Sequence, residues 1–340
     1  MSARESVPTD WHWPSFEPSI CGMNDDRERL GLHHYYVSMR FEEKIPLAYA
    51  RLRSLSIDKL VGVIQSTEAL LVDRIVAGNL LAVLGDPRIS DYEFHMIEVP
   101  GGLVSMGLDS NDVEKVLKEF DGLGLQSKWI DKECPRHEVH LNSFKISKYA
   151  VTNSQYKAFL LDTHYQEIPT SWEFRRYPVE RANHPVYTVS PSAADAYASW
   201  LKSKTGIPYR LPSEAEWEWA AAGPHNKQFP WGNAFNADFA NTAETGLLTS
   251  SAVGAFVGGE SWSGLSDMAG NVEEYVADNY LPYPNGQRVK DHLVELNGEY
   301  RVARGGSFAR FRDLARTKRR HGHNPKSATY AMGFRLACDS

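Results

Sequence analysis

Cysteine is scarce in this chain: three in 340 residues, at Cys21, Cys134 and Cys338. They lie far apart with no CxxC spacing, so they build no thiolate metal knuckle, and an odd count provides no disulfide framework. A reducing compartment fits this usage. Long apolar runs are missing too. A membrane helix needs about 18–20 apolar residues, and the most apolar stretch, residues 70–84, is broken by Asp73, Arg74 and Asn79. The first 19 residues hold acids, prolines and tryptophans where a secretory signal needs an unbroken apolar core. The expectation is a cytoplasmic protein without membrane attachment. Positive charge is in deficit, with 37 Lys+Arg against 43 Asp+Glu and a net charge of -6. That balance excludes nucleic-acid binding as the main task, because neutralising phosphates needs a basic face. No internal repeat or low-complexity tract is present.

What is there divides in two. Between residues 25 and 85 proline and glycine are rare, and Leu60, Val63, Ile64, Leu70, Leu71, Ile75 and Leu80 recur at helical spacing after the cap candidate Ser56. The pattern predicts an N-terminal helical region over residues 1–91, ended by Gly85, Asp86 and Pro87. From residue 92 to 340 the texture changes to short strand candidates, such as HMIEV and FKISKYAVT, among loops rich in Gly, Pro, Asn and aromatics. Two helices stand out there, over residues 192–202 and in RLPSEAEWEWAAAG. In the second, Ser213 caps the first turn, Glu216 reaches back to complete a capping box and Gly223 closes the end. Loops this long need bound cations or many side-chain hydrogen bonds to pin them.

Seven ordered segments carry a resemblance: MIEVPGGLVSMG, PRHEVHLNSFKISKYAVTNSQYKAFL, YRLPSEAEWEWAAAG, PWGN, GLSDMAGNVEEYVADNYLPYP, RVARGGSF and MGFRLA. Their order resembles that of the sulfatase-modifying-factor superfamily, which includes formylglycine-generating enzymes and ergothioneine-type sulfoxide synthases. The resemblance covers residues 92–340. It implies an α+β domain of the C-type-lectin-like kind, with few regular elements and often with bound calcium. Formylglycine-generating enzymes place two copper-binding cysteines three and eight residues beyond the serine of RGGS; here those positions are Arg310 and Ala315. Neither side chain can hold a soft copper ion, so sulfatase activation is excluded. Sulfoxide synthases hold iron with three histidines of an N-terminal bundle, two of them in an HxxxH-like pair. This chain has no such pair. Its candidates are His33 and His34, with Glu42 or Glu43 further along, and adjacent helical residues point about 100° apart, so the two histidines do not readily share one ion.

The resemblance also implies a calcium cage in GLSDMAGNVEEY, formed by the side chains of Asp267 and Glu274 and the carbonyls of Gly270 and Val272, an oxygen set suited to a hard cation. A tight turn capped by Asp267, without an ion, is the alternative. A second calcium position begins at Asn241, with the Thr242 carbonyl. Tyr280 and Tyr283 stand where the sulfoxide synthases keep an active-site tyrosine, which can donate a proton, or else pack on Pro282 and Pro284. His137 and His140 in PRHEVH have the look of a zinc pair, but the segment reads as an ordinary strand.

The segment RVARGGSFARFRDLARTKRRHGHNP (301–325) holds seven arginines, one lysine and two histidines, with Asp313 its only acid. Aligned to the family pattern, Arg320 and Pro325 are scaffold and residues 321–324 face the ligand. His323 lies where the sulfoxide synthases have a catalytic aspartate. An imidazole there can bind a metal or carry protons, so His321 and His323 are candidate metal ligands and His323, Tyr280 and Tyr283 candidate catalytic groups; exposed loop polarity is the alternative for the histidines. Arg304, Arg316 and Arg320 match scaffold positions and are expected to be consumed by carboxylates such as Glu216, Glu218 and Glu274. Arg310, Arg312, Lys318 and Arg319 are then in excess. With Phe308, Arg310, Arg312 and Arg319 are the expected contacts of an anionic or heterocyclic small substrate, since guanidinium forks favour planar anions.

These features point to a metal-dependent oxidase or oxygenase, using iron, copper or cobalt with dioxygen. It would tailor a small polar metabolite, in the style of the superfamily's siderophore and toxoflavin-type azapteridine members. A non-catalytic ligand- or protein-binding lectin-like module, and a structural subunit stabilising a partner enzyme, are the rivals. The N-terminal helices are expected either to close over the pocket or to form a homodimer.

Overall fold

The computed structural model describes residues 37–324 and 330–340. Three helices open it, α1 (Lys44–Leu52), α2 (Ile57–Ile64) and α3 (Leu71–Leu84). Of the expected apolar stripe Leu60, Ile64 and Ile75 are buried and Val63, Leu70, Leu71 and Leu80 half-buried; Leu60 and Ile64 pack with Val72, Val76 and Leu81, which the spacing did not single out, and with Ala252, Ala255 and Phe256 of the following domain. Gly78 marks the closest approach, because a Cβ there would lie 2.5 Å from that of Ala252. Polar ties fix the same contact. Asn183 Nδ2 donates to the Gly78 carbonyl at 3.0 Å, and Arg74 Nε donates to that of Ala255 at 2.8 Å. The helical region therefore lies against the domain, with its stripe already covered.

The domain is α+β with short elements. Strands β1 (Met96–Val99), β2 (Gly102–Met106), β3 (His137–Leu141) and β4 (Phe144–Ser147) precede helix α6 (Asn153–Thr163) and its partner α7 (Pro191–Thr205), with α4 (Val113–Glu119) and α5 (Ser127–Asp131) between β2 and β3. Helix α8 (Glu214–Ala222) follows, then β5 (Glu273–Asn279), α9 (His292–Asn297), β6 (Arg301–Arg304), β7 (Met332–Phe334) and β8 (Ala337–Asp339). Among the described residues the sheets are β1-β4-β8, β2-β3 and β6-β5-β7, all antiparallel except the β5–β7 pair. Helix α8 begins with the expected capping box, Ser213 Oγ accepting from Glu216 N and Glu216 accepting from Ser213 N. Helix α7 starts one residue before the expected Ser192, with Ser190 as its cap and Pro191 in the first turn.

Between these elements, buried guanidinium groups do the pinning. Arg335 forks onto Glu274 and also donates to the carbonyls of Ser147, Lys148 and Ser266, tying β7–β8 to two loops. Arg316 pairs with Glu133 at 2.8 Å, Arg320 with Glu214 at 2.7 Å, and Arg304 with both Glu214 and Glu218. Of the partners expected from sequence, Glu218 is correct for Arg304. Glu216 instead pairs with Arg210, next to the helix start, and Glu274 with Arg335.

Candidate functional site

Strand β5 delivers two adjacent acids to opposite faces, as strand alternation requires. Glu274 points at Arg335 and at Trp217, whose Nε1 donates to it at 2.7 Å. Glu273 points the other way. Its Oε2 lies 2.6 Å from His321 Nδ1 and its Oε1 lies 3.8 Å from Arg310 Nε, while the carboxylate is almost wholly enclosed. The backbone of His321 is bridged to Ala303 in both directions, so the segment after β6 is held in register where this contact forms.

Burial works to raise the Glu273 carboxyl, but His321, Arg310 and Arg319 outweigh it and hold it below its ordinary range. Burial lowers His321, with Arg319 and Arg310 adding to the effect and Glu273 opposing it. An ionised carboxylate has no proton to give, so the neutral imidazole donates from Nδ1 and presents Nε2 with its lone pair. His323 lies near. Its pKa is lowered by burial first, with His321 adding and Glu273 opposing. Its ring meets Tyr330 at 3.9 Å between centroids, its carbonyl accepts from Asn297 Nδ2, and its buried Nε2 has no partner among the described residues. His321 keeps 13% of its side chain exposed, while the Nε2 of His323 is buried.

The two imidazoles suit a divalent transition metal in donor type, and the Glu273 contact is the kind that orients a ligating histidine. They are two donors, however, and no group of three His, Cys, Asp or Glu placed to hold an ion occurs among the described residues. His33 and His34 lie outside those residues, as do Pro325 and the rest of the loop through residue 329.

The other expectations fare unevenly. Glu274 has both oxygens engaged by Arg335 and Trp217, so a guanidinium supplies a counter-charge where calcium was expected. Asp267 accepts from Gly254 N at 2.7 Å, and burial pushes its carboxyl up to about 6. Gly270 N donates to the Gly305 carbonyl, and Val272 is buried in the core. Asn241 keeps one buried acceptor, Oδ1, without a partner. Tyr280 stacks on Tyr300 at 5.2 Å, and Tyr283 lies under the Arg320 guanidinium at 4.0 Å and beside His137. Among the described contacts neither ring meets His321, His323 or Glu273, and the buried hydroxyl of Tyr283 has no partner among the described residues. Phe308 packs edge-on against Tyr187 at 5.5 Å, within the core that also holds Val272.

Nor are the supposedly spare cations spare. Arg312 pairs with Glu244 at 3.2 Å, Arg319 lies 3.9 Å from Asp313 and over Trp129, and Lys318 donates to the Asn226 carbonyl. Of the expected contacts, Arg310 lies beside Glu273, and the charges of both Arg310 and Arg319 act on His321. Glu273 and Asp313 are the groups that sequence reasoning passed over. Burial, helped by Glu244 and opposed by Arg319 and Arg316, pushes the Asp313 carboxyl up to about 7. The alternation of Glu273 and Glu274 along a strand was the signal available for the first.

A model of the sulfatase-modifying factor enzyme 1-like domain matches residues 86–340. The chain belongs to this family. A hercynine oxygenase of Mycolicibacterium thermoresistibile is 31% identical over 248 residues, covering 62% of this chain and 54% of that protein. The serine/threonine-protein kinase Pkn1 of Chlamydia trachomatis is 34% identical over 225 residues, 61% of this chain and 35% of that protein. The chain thus spans about a third to a half of the length of these curated relatives. Among solved structures, PvdO from Pseudomonas aeruginosa superposes with a TM-score of 0.53 at 27% identity, over 72% of this chain and 94% of that one. The variable protein 1 of Treponema denticola reaches 0.52 at 21% identity, which shows a common fold. Within this sulfatase-modifying factor family domain, then, Glu273 stands on the central strand of the β6-β5-β7 sheet and His321 is bridged to the outer strand β6.

Proposed function

We propose that this chain is an oxygenase-type oxidoreductase that tailors a small polar or anionic molecule in a biosynthetic pathway, acting at the cluster of Glu273, Arg310, His321 and His323. The reading rests on one observation: two half-buried imidazoles, one hydrogen-bonded to a buried carboxylate and the other with a buried Nε2 that meets no partner among the described residues, beside an arginine. The hercynine oxygenases and PvdO among the relatives support this class. A siderophore-type or azapteridine-type substrate belongs to the proposal.

In this reading His321 and His323 would hold iron, copper or cobalt, with His33 or His34 as a further donor. The metal, when bound, supplies activation of dioxygen. The chain's own residues do the rest. Glu273 fixes the ring of His321 by accepting its Nδ1 proton, so Nε2 stays unprotonated. Arg310 places positive charge beside the cluster for a substrate anion. Enclosure keeps both imidazoles neutral near pH 7, available as donors or proton acceptors.

Purified protein analysed for bound metals tests this. One equivalent of a transition metal, lost in both His321→Ala and His323→Ala with the fold intact by circular dichroism, together with oxygen uptake on anionic heterocycles, is the expected result. Calcium alone, or a transition metal retained by both variants, overturns it and leaves the ligand-binding module.

A further inference from the structure

The loop 229–239, which follows α8, shapes a concavity of about 510 Å³ lined chiefly by Trp231, Phe235, Phe239, Asn233 and Asn236. That volume lies within the roughly 300–1,000 Å³ range of small-molecule sites. No residue lining it carries a charge, and none belongs to the histidine cluster.

Trp231 forms the floor. It stacks on Phe229, with ring centres 5.4 Å apart and planes 9° from parallel. Phe229 is 1% exposed whereas Trp231 is half-buried, so the indole turns one face to the core and the other outward. Phe239 meets it edge-on at 5.8 Å and Phe235 stands tilted at 6.4 Å, both half-buried, as two walls. The floor is fixed in place, because Trp231 Nε1 donates to the Ala234 carbonyl at 2.9 Å. Amides form the rim. Asn233 Oδ1 accepts from Gln228 N at 3.0 Å, and Asn236 Oδ1 from Asp238 N at 2.9 Å. These bonds turn both side-chain oxygens into the loop and leave each Nδ2, at the other corner of its planar group, as a donor to an incoming ligand.

The chemistry of the lining selects the ligand. A cation finds no acid there, and the Arg312 guanidinium already stands 6.0 Å from the centre of the Phe235 ring. An anion finds no cation in the lining and would face the negative faces of the rings. A sugar ring satisfies both parts of the site, because its weakly positive C–H groups suit an aromatic face and its hydroxyl oxygens accept from amides. We propose that this concavity binds a neutral pyranose, stacked on the outward face of Trp231 with its hydroxyls accepting from Asn233 Nδ2 and Asn236 Nδ2.

Saturation-transfer NMR on the full chain tests this with the methyl glycosides of glucose, galactose, mannose and N-acetylglucosamine, and with choline and succinate as charged comparisons. At least one glycoside should bind, more tightly than either charged compound and with the strongest transfer at its ring C–H protons. Asn233→Asp keeps an oxygen for Gln228 N but replaces the donor by an acceptor, so it should melt as the parent does and lose at least about fivefold in affinity. Trp231→Ala should lose at least about tenfold, and Trp231→Phe, which keeps an aromatic face on Phe229, should recover part of that loss. The recovery separates stacking from support of the fold. No binding of any of the four glycosides, choline or succinate bound as tightly as the best of them, or unchanged affinity in either Asn233→Asp or Trp231→Ala overturns the assignment. His321→Ala should bind the glycoside as the parent does, which keeps the result apart from the oxygenase reading; a matching loss there would move the ligand to the histidine cluster and overturn it as well.

Discussion

The N-terminal helices and the domain they lie on are held in opposite ways. Helices α1–α3 satisfy their backbone internally and need only an apolar stripe covered, which Ala252, Ala255 and Phe256 accomplish. The domain spends much of its length in loops whose carbonyls and amides have no ladder to join. There, buried arginines serve as many-armed donors: Arg335 alone reaches Glu274 and three backbone carbonyls. The comparison teaches that irregular backbone can be packed as tightly as helix if fixed charges replace the regular hydrogen-bond pattern. Each such charge then depends on its partner.

The sharpest way to break the contrast is Arg335→Met. It strands a buried Glu274 and several carbonyls, and should cost about 3–5 kcal/mol in denaturant unfolding; a loss below about 1 kcal/mol would show the charge frame to be dispensable. On the helical side, Leu60→Ala should cost about 2–4 kcal/mol through the cavity it leaves, and the same chemical melt measures it. Gly78→Ala tests the junction, since its methyl group would meet Ala252 at 2.5 Å. A loss of about 1–3 kcal/mol is expected from overpacking, with Ala252→Gly restoring part of it.

Asp313 refines the comparison by pH. Its carboxyl is raised from an ordinary 3.8 to about 7 in the fold, so between those values the folded state binds the proton the unfolded state has released. Stability from this group is present at pH 4 and is lost as pH rises through 7. Asp313→Asn should therefore melt higher than the parent at pH 8 and no higher at pH 4. The smallest effect belongs to the exposed pair Arg176–Glu180, where Arg176→Ala should leave the melting temperature unchanged within error.

Ordered motifs made the domain legible before any coordinates, and local signals located its details: Ser213 and Glu216 do form the capping box, and Gly223 does end the helix. Pairing across the chain was less legible. Arg316 finds Glu133 across 183 residues, and nothing in spacing marks that partner out from other acids. The same blindness made Arg312, Lys318 and Arg319 look unspent. For the candidate site, His321, His323 and Arg310 were readable as a loop facing inward. Glu273 was hidden by its neighbour, because Glu274 carried the family motif while strand alternation aimed the other acid at the imidazole. For Tyr280 and Tyr283 the alternative of aromatic packing was equally legible, and Arg320 covers both rings.

Strands β7 and β8 join two separate sheets, one to β5 and the other to β4. During synthesis, everything up to residue 331 leaves the ribosome with those strand edges open and with Glu274 lacking its guanidinium. Closure of both sheets therefore waits for this one short stretch, residues 332–339.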